Sequence, residues 1–303
     1  MAPRLATRGS TLALAQAGAV AELLGGADLI PASSDGEPGD KSRFVSAVER
    51  ELLDGGAELG VHSAKDLPAQ MPEGLVIAGA PAREAPQDAW VGAASALEEV
   101  PEGARVGTSS LRRRAQLLAL RPDLEVSELH GNVDTRLRRL EEGGLDAIVL
   151  AAAGLRRLGR EDAISFAFDP EQMTPAAGQG VLAIQARAAD SAAVEAAARI
   201  SDPKAMAELT AERAVVAALE ATCNTPVGIH ARADGGRIEI QAFAGMPDGS
   251  ESVRERHEGD AADPAVVGRE LAAKMVASGA EELLQRAEAL AGGEQRRRTG
   301  NGS

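Results

Sequence analysis

The sequence is poor in aromatic residues, cysteine and lysine. Aromatic residues make up 2% of the 303 positions and tyrosine is absent, so alanine, valine and leucine must fill the core. The length is enough for two or three domains, and the hydrophobic share of 44% is enough for a real core. The single cysteine, Cys223, excludes a disulfide within the chain. Lysine occurs at only four positions, so arginine carries most of the positive charge.

Long apolar runs are also missing. No stretch reaches the roughly 20 apolar residues that a membrane helix needs. Residues 1–5 lack the apolar run that would mark a signal peptide. We therefore expect a cytoplasmic protein that does not bind a membrane.

Negative charge dominates but is unevenly distributed. The formal net charge of −14 argues against broad nucleic-acid binding, which depends on neutralising phosphates. Residues 101–160 hold 11 Arg and 8 Asp or Glu, a net of +3, so the rest of the chain carries −17. Because arginine offers a planar fork that fits carboxylates and phosphates, this basic segment favours a small polyanionic ligand.

Short apolar runs alternate with amphipathic stretches through the first two thirds of the chain. This alternation predicts α/β architecture with parallel, doubly wound sheets, and residues 81–87 indicate a crossing between two such units. From residue 226 the hydrophobic period changes to two, which predicts a hairpin over 227–244 and a third strand near 251–257.

The remaining segments are predicted from caps, prolines and small polar residues. Asp263-Pro264 predicts the capped start of a helix whose pattern continues to about residue 290. Residues 32–41 are small and polar, so we expect a mobile loop there. We expect a disordered tail over 292–303.

A Lys65-Asp66 pair ends one of the predicted strands and is followed by Pro68. Ligands bind at the carboxyl edge of open α/β sheets, so this pair is a candidate site. A surface ion pair that contributes ~0–1 kcal/mol is the simple alternative. The functional alternative is a carboxylate in a cleft, which stabilises a developing cation or moves a proton.

Arginines follow three other predicted strands. Residues 108–113, Thr-Ser-Ser-Leu-Arg-Arg, open a helix whose N-terminus suits an anion, although a capped helix with solvated arginines fits the same pattern. Arg136 lies one turn into the helix after the second strand, and Arg156 and Arg157 follow the third. Such like charges repel one another unless an anionic ligand or nearby acids compensate them.

Cys223 lies in a polar loop between a predicted helix and the hairpin. A lone cysteine is most often a small buried hydrophobe. Its polar setting, bounded by Pro226, raises the alternative of a reactive or derivatised thiol.

In this order the motifs resemble those of the porphobilinogen deaminase (hydroxymethylbilane synthase) family, and the similarity runs from about residue 4 to the last helix. The motifs are Ala6-Thr7-Arg8-Gly9-Ser10, His62-Ser63-Ala64-Lys65-Asp66-Leu67-Pro68, residues 107–113, residues 131–137, Pro175-Ala176-Ala177-Gly178-Gln179-Gly180 and Cys223 before Pro226-Val227-Gly228. Residues 150–159 and Thr210-Ala211-Glu212-Arg213 are also similar to that family.

The resemblance implies two periplasmic-binding-protein-like (type II) α/β domains, at 1–82 with 181–200 and at 87–175, and a small α+β domain at 203–291. It implies a dipyrromethane cofactor attached through a thioether to Cys223, in a monomeric enzyme. Four porphobilinogen molecules would be added head to tail with loss of ammonia, and hydrolysis would release 1-hydroxymethylbilane. No metal ion is expected.

The resemblance also implies site residues. Asp66 matches the catalytic aspartate, and Lys41 matches a lysine of the loop. The matches to cofactor contacts are Cys223, Lys65, Ser63, Thr108, Ser109, Ser110, Arg112, Arg113 and Arg136. The matches to substrate contacts are Arg8, Ser10, His130, Arg136, Arg157 and Gln179.

Three positions depart from the family pattern. His130 replaces the usual arginine, Ala221-Thr222 replace the glycines before Cys223, and the loop at 32–41 is short. A weakly active paralogue therefore stays open. A binding protein of the same two-domain fold would need neither Cys223 nor Lys65-Asp66. An enzyme with a cysteine nucleophile would need a His–acid pair, and the four histidines offer none that stands out.

Overall fold

The computed structural model describes residues 2–32, 41–222 and 225–300, with only the backbone described at 41–44 and 291–300. Within those ranges the strands are β1 (Arg4–Arg8), β2 (Asp28–Ala32), β3 (Leu59–Ser63), β4 (Leu75–Gly79), β5 (Asp88–Gly92), β6 (Arg105–Gly107), β7 (Glu125–Ser127), β8 (Ala147–Ala151), β9 (Phe166–Ala167), β10 (Leu182–Arg187), β11 (Val227–Asp234), β12 (Arg237–Gly245) and β13 (Ser252–Asp260). The α-helices are α1 (Thr11–Leu23), α2 (Lys41–Leu53), α3 (Leu111–Leu120), α4 (Val133–Glu141), α5 (Ala152–Arg157), α6 (Ser191–Arg199), α7 (Pro203–Ala218), α8 (Pro264–Ala277) and α9 (Ala280–Gly300). Among these helices none is long and apolar enough to cross a membrane.

Polar side chains begin several helices. The Ser10 hydroxyl accepts from the backbone N–H of Ala13 at the start of α1, and Ser110 caps α3 in the same way. Each such cap contributes about 1 kcal/mol. The predicted cap by Asp263 is wrong: its backbone is outside the usual capping conformation (φ −123°, ψ 58°), and its side chain makes no capping hydrogen bond to α8. Pro264 alone supports that start.

Two five-stranded sheets share one strand order. The first is β2-β1-β3-β10-β4 and the second is β7-β6-β8-β5-β9. The predicted α/β architecture is confirmed, but each sheet is mixed rather than parallel, since β10 runs antiparallel to β3 and β4, and β5 runs antiparallel to β8 and β9. The chain crosses twice between the units, first between β4 and β5 and then between β9 and β10. The strand after each crossing, β5 or β10, is the antiparallel one. These are two mixed α/β units of one topology.

The third sheet is antiparallel, in the order β11-β12-β13, and helices α7, α8 and α9 pack against it. The hairpin turn at Gly235-Gly236, with both φ values positive, confirms the predicted hairpin. The helical pattern predicted to about residue 290 is confirmed but divides into two helices, because Gly279 (φ +87°) separates α8 from α9. Helix α9 then runs to Gly300, so the predicted tail from residue 292 is helical that far; glutamine, glutamate and arginine favour helix.

Small aliphatic residues fill the cores, as the shortage of aromatic residues predicts. Leu5, Leu59 and Ile184 are fully buried between the first sheet and its helices. Burying such a side chain contributes about 1.5–3 kcal/mol. The aromatic residues are concentrated in the second unit, where Trp90 stacks on Phe166 with ring centroids 5.6 Å apart.

The carboxyl ends of the parallel strands face a cleft between the two α/β units. β1 and β3 run parallel and end at one edge of the first sheet, and β6 and β8 do so in the second. Helix α1 contacts α5, which brings the two edges together. The second crossing passes along this cleft before it enters β10.

Candidate active site

A single 3-10 turn, Ala64–Asp66, follows β3 and is called the corner turn below. Its closing bond runs from the N–H of Leu67 to the carbonyl of Ala64 at 3.2 Å, and the N–H of Ala64 donates to Val181 at 3.0 Å. Arg8, at the end of the neighbouring parallel strand β1, places Nη1 3.8 Å from Oδ2 of Asp66. The turn thus presents Asp66 beside a cation from the next strand.

Ser63 ends β3 and bonds to a residue that sequence reasoning missed. Gln16 of α1 donates from Nε2 to Ser63 Oγ at 2.9 Å, and Ser63 Oγ is 3.1 Å from Gln16 Oε1. Gln16 is 5% exposed, and its place on the buried face of α1 is the signal that could have identified it. Ser10 serves as the cap of α1.

Residues 108–110 join β6 to α3 and lie behind Arg136, which lines the cleft. Thr108 Oγ1 accepts from the backbone N–H of Ser110 at 3.2 Å, so these two residues shape the turn before α3. Ser109 Oγ instead accepts from Nη2 of Arg136 at 3.3 Å. The predicted anion site at this helix start therefore has Ser109 and Arg136 side by side.

Arg112 and Arg113 lie inside the second unit, on the carboxylate of Asp88. Arg112 Nη1 is 2.6 Å from Asp88 Oδ2, and Arg113 Nε is 2.9 Å from Oδ1. Gln179 Nε2 donates to the same Oδ1 at 3.0 Å. Asp88 is the nearby acid that compensates these charges, and sequence reasoning missed it together with strand β5. The feature of the sequence that could have identified Asp88 is a lone acidic residue directly after Pro86-Gln87.

Arg136 and Arg157 hydrogen-bond to neutral oxygens, although the charges of Asp66 and Glu84 act on them from farther away. Arg136 donates to the Gly131 carbonyl at 2.8 Å as well as to Ser109, and Arg157 donates to the Gly180 carbonyl at 2.7 Å. Neither makes a salt bridge within the described part of the chain. Burial, and then the charge of Arg113, lowers the pKa of Arg136 to about 10, while Asp66 opposes that shift.

The cleft holds these groups together in about 520 Å³ of space, part of it open to solvent. Its polar and charged lining consists of Gln16, Ser63, Lys65, Arg113, Arg136 and Arg157. Cationic groups from both α/β units thus converge beside the corner turn. A ligand with several carboxylates matches this lining.

Beneath the corner turn lies His62, another residue that sequence reasoning left without a role. It is 4% exposed, and burial lowers the pKa of His62 to about 4 despite the opposing influence of Gln185 and Asp66. The imidazole is therefore neutral at ordinary pH. A histidine inside an otherwise apolar strand, two residues before Ala64, was the available signal.

Three predicted site residues lie apart from this arrangement or outside the description. His130 is exposed, with Nε2 3.3 Å from Oε2 of Glu128, and does not line the cleft. Cys223 lies outside the described residues, as do residues 33–40 of the predicted loop. Lys41 begins α2, and its side chain is also outside the description.

Comparison with known proteins decides the family. The family model "Porphobilinogen deaminase, dipyromethane cofactor binding domain" matches residues 4–195, and the model "Porphobilinogen deaminase, C-terminal domain" matches residues 206–277. The chain belongs to the porphobilinogen deaminase family.

Curated deaminases are similar over most of their length. The porphobilinogen deaminase of Roseiflexus castenholzii is 47% identical over 247 residues, which cover 81% of this chain and 81% of that protein. The deaminase of Deinococcus radiodurans is 45% identical over 82% of this chain and 81% of its own length. That of Campylobacter curvus is 41% identical over 95% of this chain and 98% of its own length.

The cleft fits the dipyrromethane cofactor of the deaminase family. Each pyrrole ring carries an acetate and a propionate, so the cofactor brings four carboxylates. Arg136 and Arg157 supply guanidinium groups that hydrogen-bond only to neutral oxygens among the described residues. The chemistry of this donor set therefore matches the group.

Proposed function

We propose that this chain is a hydroxymethylbilane synthase, which joins four porphobilinogen molecules head to tail, releases ammonia at each addition, and adds one water to release 1-hydroxymethylbilane. One observation carries the proposal: Asp66 lies beside Arg8 and directly after Lys65, which lines a cleft whose charged side chains are all cationic. Family membership supports the same activity. A haem or other tetrapyrrole pathway would consume this product.

The cations of the cleft have the task of binding. Arg136, Arg157 and Lys65 reach the cleft from three different elements, so they offer contacts along an extended polycarboxylate. Arg113 also lines the cleft, although Asp88 already neutralises much of its charge. We assign Arg8 to the substrate side, since it stands next to Asp66. The roles of Ser10, His130 and Gln179 as substrate contacts stay predictions.

Asp66 has the task of handling charge and protons at the reacting substrate. Loss of ammonia from porphobilinogen leaves an electron-poor methylene-pyrrolenine cation, which the pyrrole carbon of the growing chain attacks before that carbon loses its proton. A fixed carboxylate stabilises such a cation and helps the proton to leave. When bound, the dipyrromethane supplies the first nucleophilic pyrrole carbon. Its attachment to Cys223 stays a prediction, as do the cytoplasmic location and the monomeric state.

The intact mass of the purified protein tests the proposal. We expect an excess of two pyrrole units in the wild-type protein, and its loss in Cys223→Ala. An unmodified mass in a folded, cofactor-replete preparation would instead support an organic-anion-binding protein without catalysis. The pink colour with acidic dimethylaminobenzaldehyde is a second check of the pyrrole units.

Ammonia release tests the role of Asp66. We expect Asp66→Ala to fold, to keep its cofactor mass, and to lose about 10²–10⁴-fold in kcat, the range typical of a lost acid–base group. Asp146→Ala is the matched control, because Asp146 also pairs with an arginine, Arg105, at a distance from the cleft. Near-normal ammonia release by Asp66→Ala would remove Asp66 from the mechanism.

A further inference from the structure

Helix α7 carries two consecutive residues, Glu212 and Arg213, that the reaction proposed above does not use. They belong to the Thr210-Ala211-Glu212-Arg213 motif. Glu212 is fully buried and Arg213 is partly buried. Helix α7 packs against β11 and precedes the segment that contains Cys223. Glu212 bonds both to β11 of the third sheet and to the turn before β10, and Arg213 bonds to the segment after the corner turn.

Glu212 holds the polar turn that leads into β10. Its Oε2 accepts from the N–H of Gly178 at 2.5 Å, and its Oε1 accepts from Ala231 of β11 at 2.8 Å. Arg83 Nη1 lies 2.7 Å from the same Oε1. Burial opposes the charged form, but Arg83 outweighs it and holds the pKa of Glu212 below its ordinary value. The carboxylate thus fastens Gly178 to the C-terminal unit.

Gly178 in turn lies against the corner turn. Its φ is +70°, and a Cβ placed on it would stand 2.8 Å from the Cβ of Ala64 and 3.1 Å from the backbone N of Lys65. This approach is too close for any side chain. Because interiors are densely packed, a displacement of Gly178 displaces the amino side of the corner turn.

Arg213 holds the other side of the same turn. Its Nη2 donates to the carbonyls of Pro68 at 2.9 Å and Ala69 at 3.1 Å. Burial lowers the pKa of Arg213, and no carboxylate lies within salt-bridge distance of it among the described residues. Removing a cation from water costs free energy, and two bonds to neutral oxygens offset that cost poorly, so stability alone does not explain this contact. Its placement favours a role in fixing the segment after Asp66.

We infer that Glu212 and Arg213 are positioning residues, which fix Lys65 and Asp66 between Gly178 and Pro68. These two residues connect the corner turn to the unit that carries the third sheet, so that the turn and that unit move together. The inference rests on the proposed function for the task of Asp66. The contacts that carry it involve neither the cofactor nor the substrate.

Hydrogen–deuterium exchange of the full-length protein tests the positioning without turnover. In Arg213→Met we expect the amides of residues 64–70 to exchange about tenfold faster, the factor for one or two lost hydrogen bonds. Arg121→Met is the matched control, because Arg121 also donates to backbone carbonyls, those of Leu97, Val100 and Pro101. That variant should speed exchange near residues 97–103 and leave 64–70 unchanged.

Steady-state kinetics tests the consequence for the reaction. We expect Arg213→Met to lower kcat about tenfold to a hundredfold, as a small displacement of a catalytic group does, with little change in KM. Arg213→Lys should recover part of kcat and part of the slow exchange, since an ammonium can donate to the same carbonyls. Arg121→Met should keep the wild-type kcat.

The outcomes separate this inference from the proposed function. A wild-type protein that releases no ammonia overturns the proposed function. An active wild type together with an unchanged kcat in Arg213→Met overturns the inference alone, whether or not exchange at 64–70 rises. If Arg213→Met does not fold, Arg213→Lys decides: intermediate exchange and kcat support the inference, and wild-type values of both overturn it.

Discussion

The carboxylate of Asp88 accepts two hydrogen bonds from the guanidinium of Arg112, at 2.6 and 3.2 Å. Both side chains are buried, and Arg113 donates to the same carboxylate. Burial opposes the charged form of Asp88, but the two guanidinium groups outweigh it and hold the pKa of Asp88 well below its usual range. Part of the positive charge of residues 101–160 is therefore balanced inside the protein rather than by a ligand.

Replacement of Asp88 should destabilise the protein strongly. Asp88→Asn leaves two buried guanidinium groups without a counter-charge, so we expect the free energy of unfolding to fall by about 3–5 kcal/mol. Urea denaturation measures the change. Asp146→Asn removes an exposed carboxylate from Arg105 and should lower the free energy of unfolding far less, because solvent screens that pair. Equal losses of unfolding free energy in the two variants would show that Asp88 does not neutralise buried guanidinium groups.

Arg136 should contribute to binding through its charge. In cofactor-loaded protein, Arg136→Met should raise KM for porphobilinogen about tenfold to a hundredfold, the range for one hydrogen bond between charged groups. Because salt screens charges, wild-type KM should also rise more steeply with ionic strength than that of the variant. Arg139→Met, an exposed position on the same helix α4, provides the control. Parallel salt dependences in wild type and Arg136→Met would contradict a carboxylate contact.

His62 should make stability depend on pH. Burial lowers the pKa of His62 from 6.5 to about 4. Between those values the unfolded chain binds more protons than the folded protein, so stability falls as the pH falls, by about 3 kcal/mol in total. The difference in unfolding free energy between wild type and His62→Gln should therefore be constant above pH 6.5 and shift against the wild type below it. A difference that stays constant down to pH 4 would mean that His62 titrates normally.

Gly180 should tolerate no side chain. Its φ is +89°, and a Cβ there would lie 2.2 Å from the carbonyl oxygen of Glu84, at the point where the two crossings meet. Gly159 also has a positive φ, of +63°, but has open space around it. Gly159→Ala should cost about 1–2 kcal/mol from backbone strain alone, and Gly180→Ala distinctly more. Thermal denaturation compares the two, and equal midpoints would exclude a steric contribution at Gly180.

Much of the local structure was predictable because its causes act over a few residues. Ser10 and Ser110 cap helices through hydrogen bonds that span only three residues, and the glycines at 235–236 turn the hairpin. The edge of the sheet at Lys65-Asp66 followed from a short apolar run that ends before a proline. The motifs in their order also identified the family, since motif order is a property of the chain alone.

The partners of those residues were not predictable, because folding brings them together from distant parts of the chain. Asp88 meets Arg112 across 24 residues, and Ser63 meets Gln16 across 47. Both contacts depend on which strands become neighbours, and the antiparallel strands delivered by the two crossings decide that order. Periodicity reports which face of a strand is buried, but not which strand lies beside it. Tertiary packing therefore decided which charged side chains line the cleft, as Arg136 does, and which pair inside the protein, as Arg112 does.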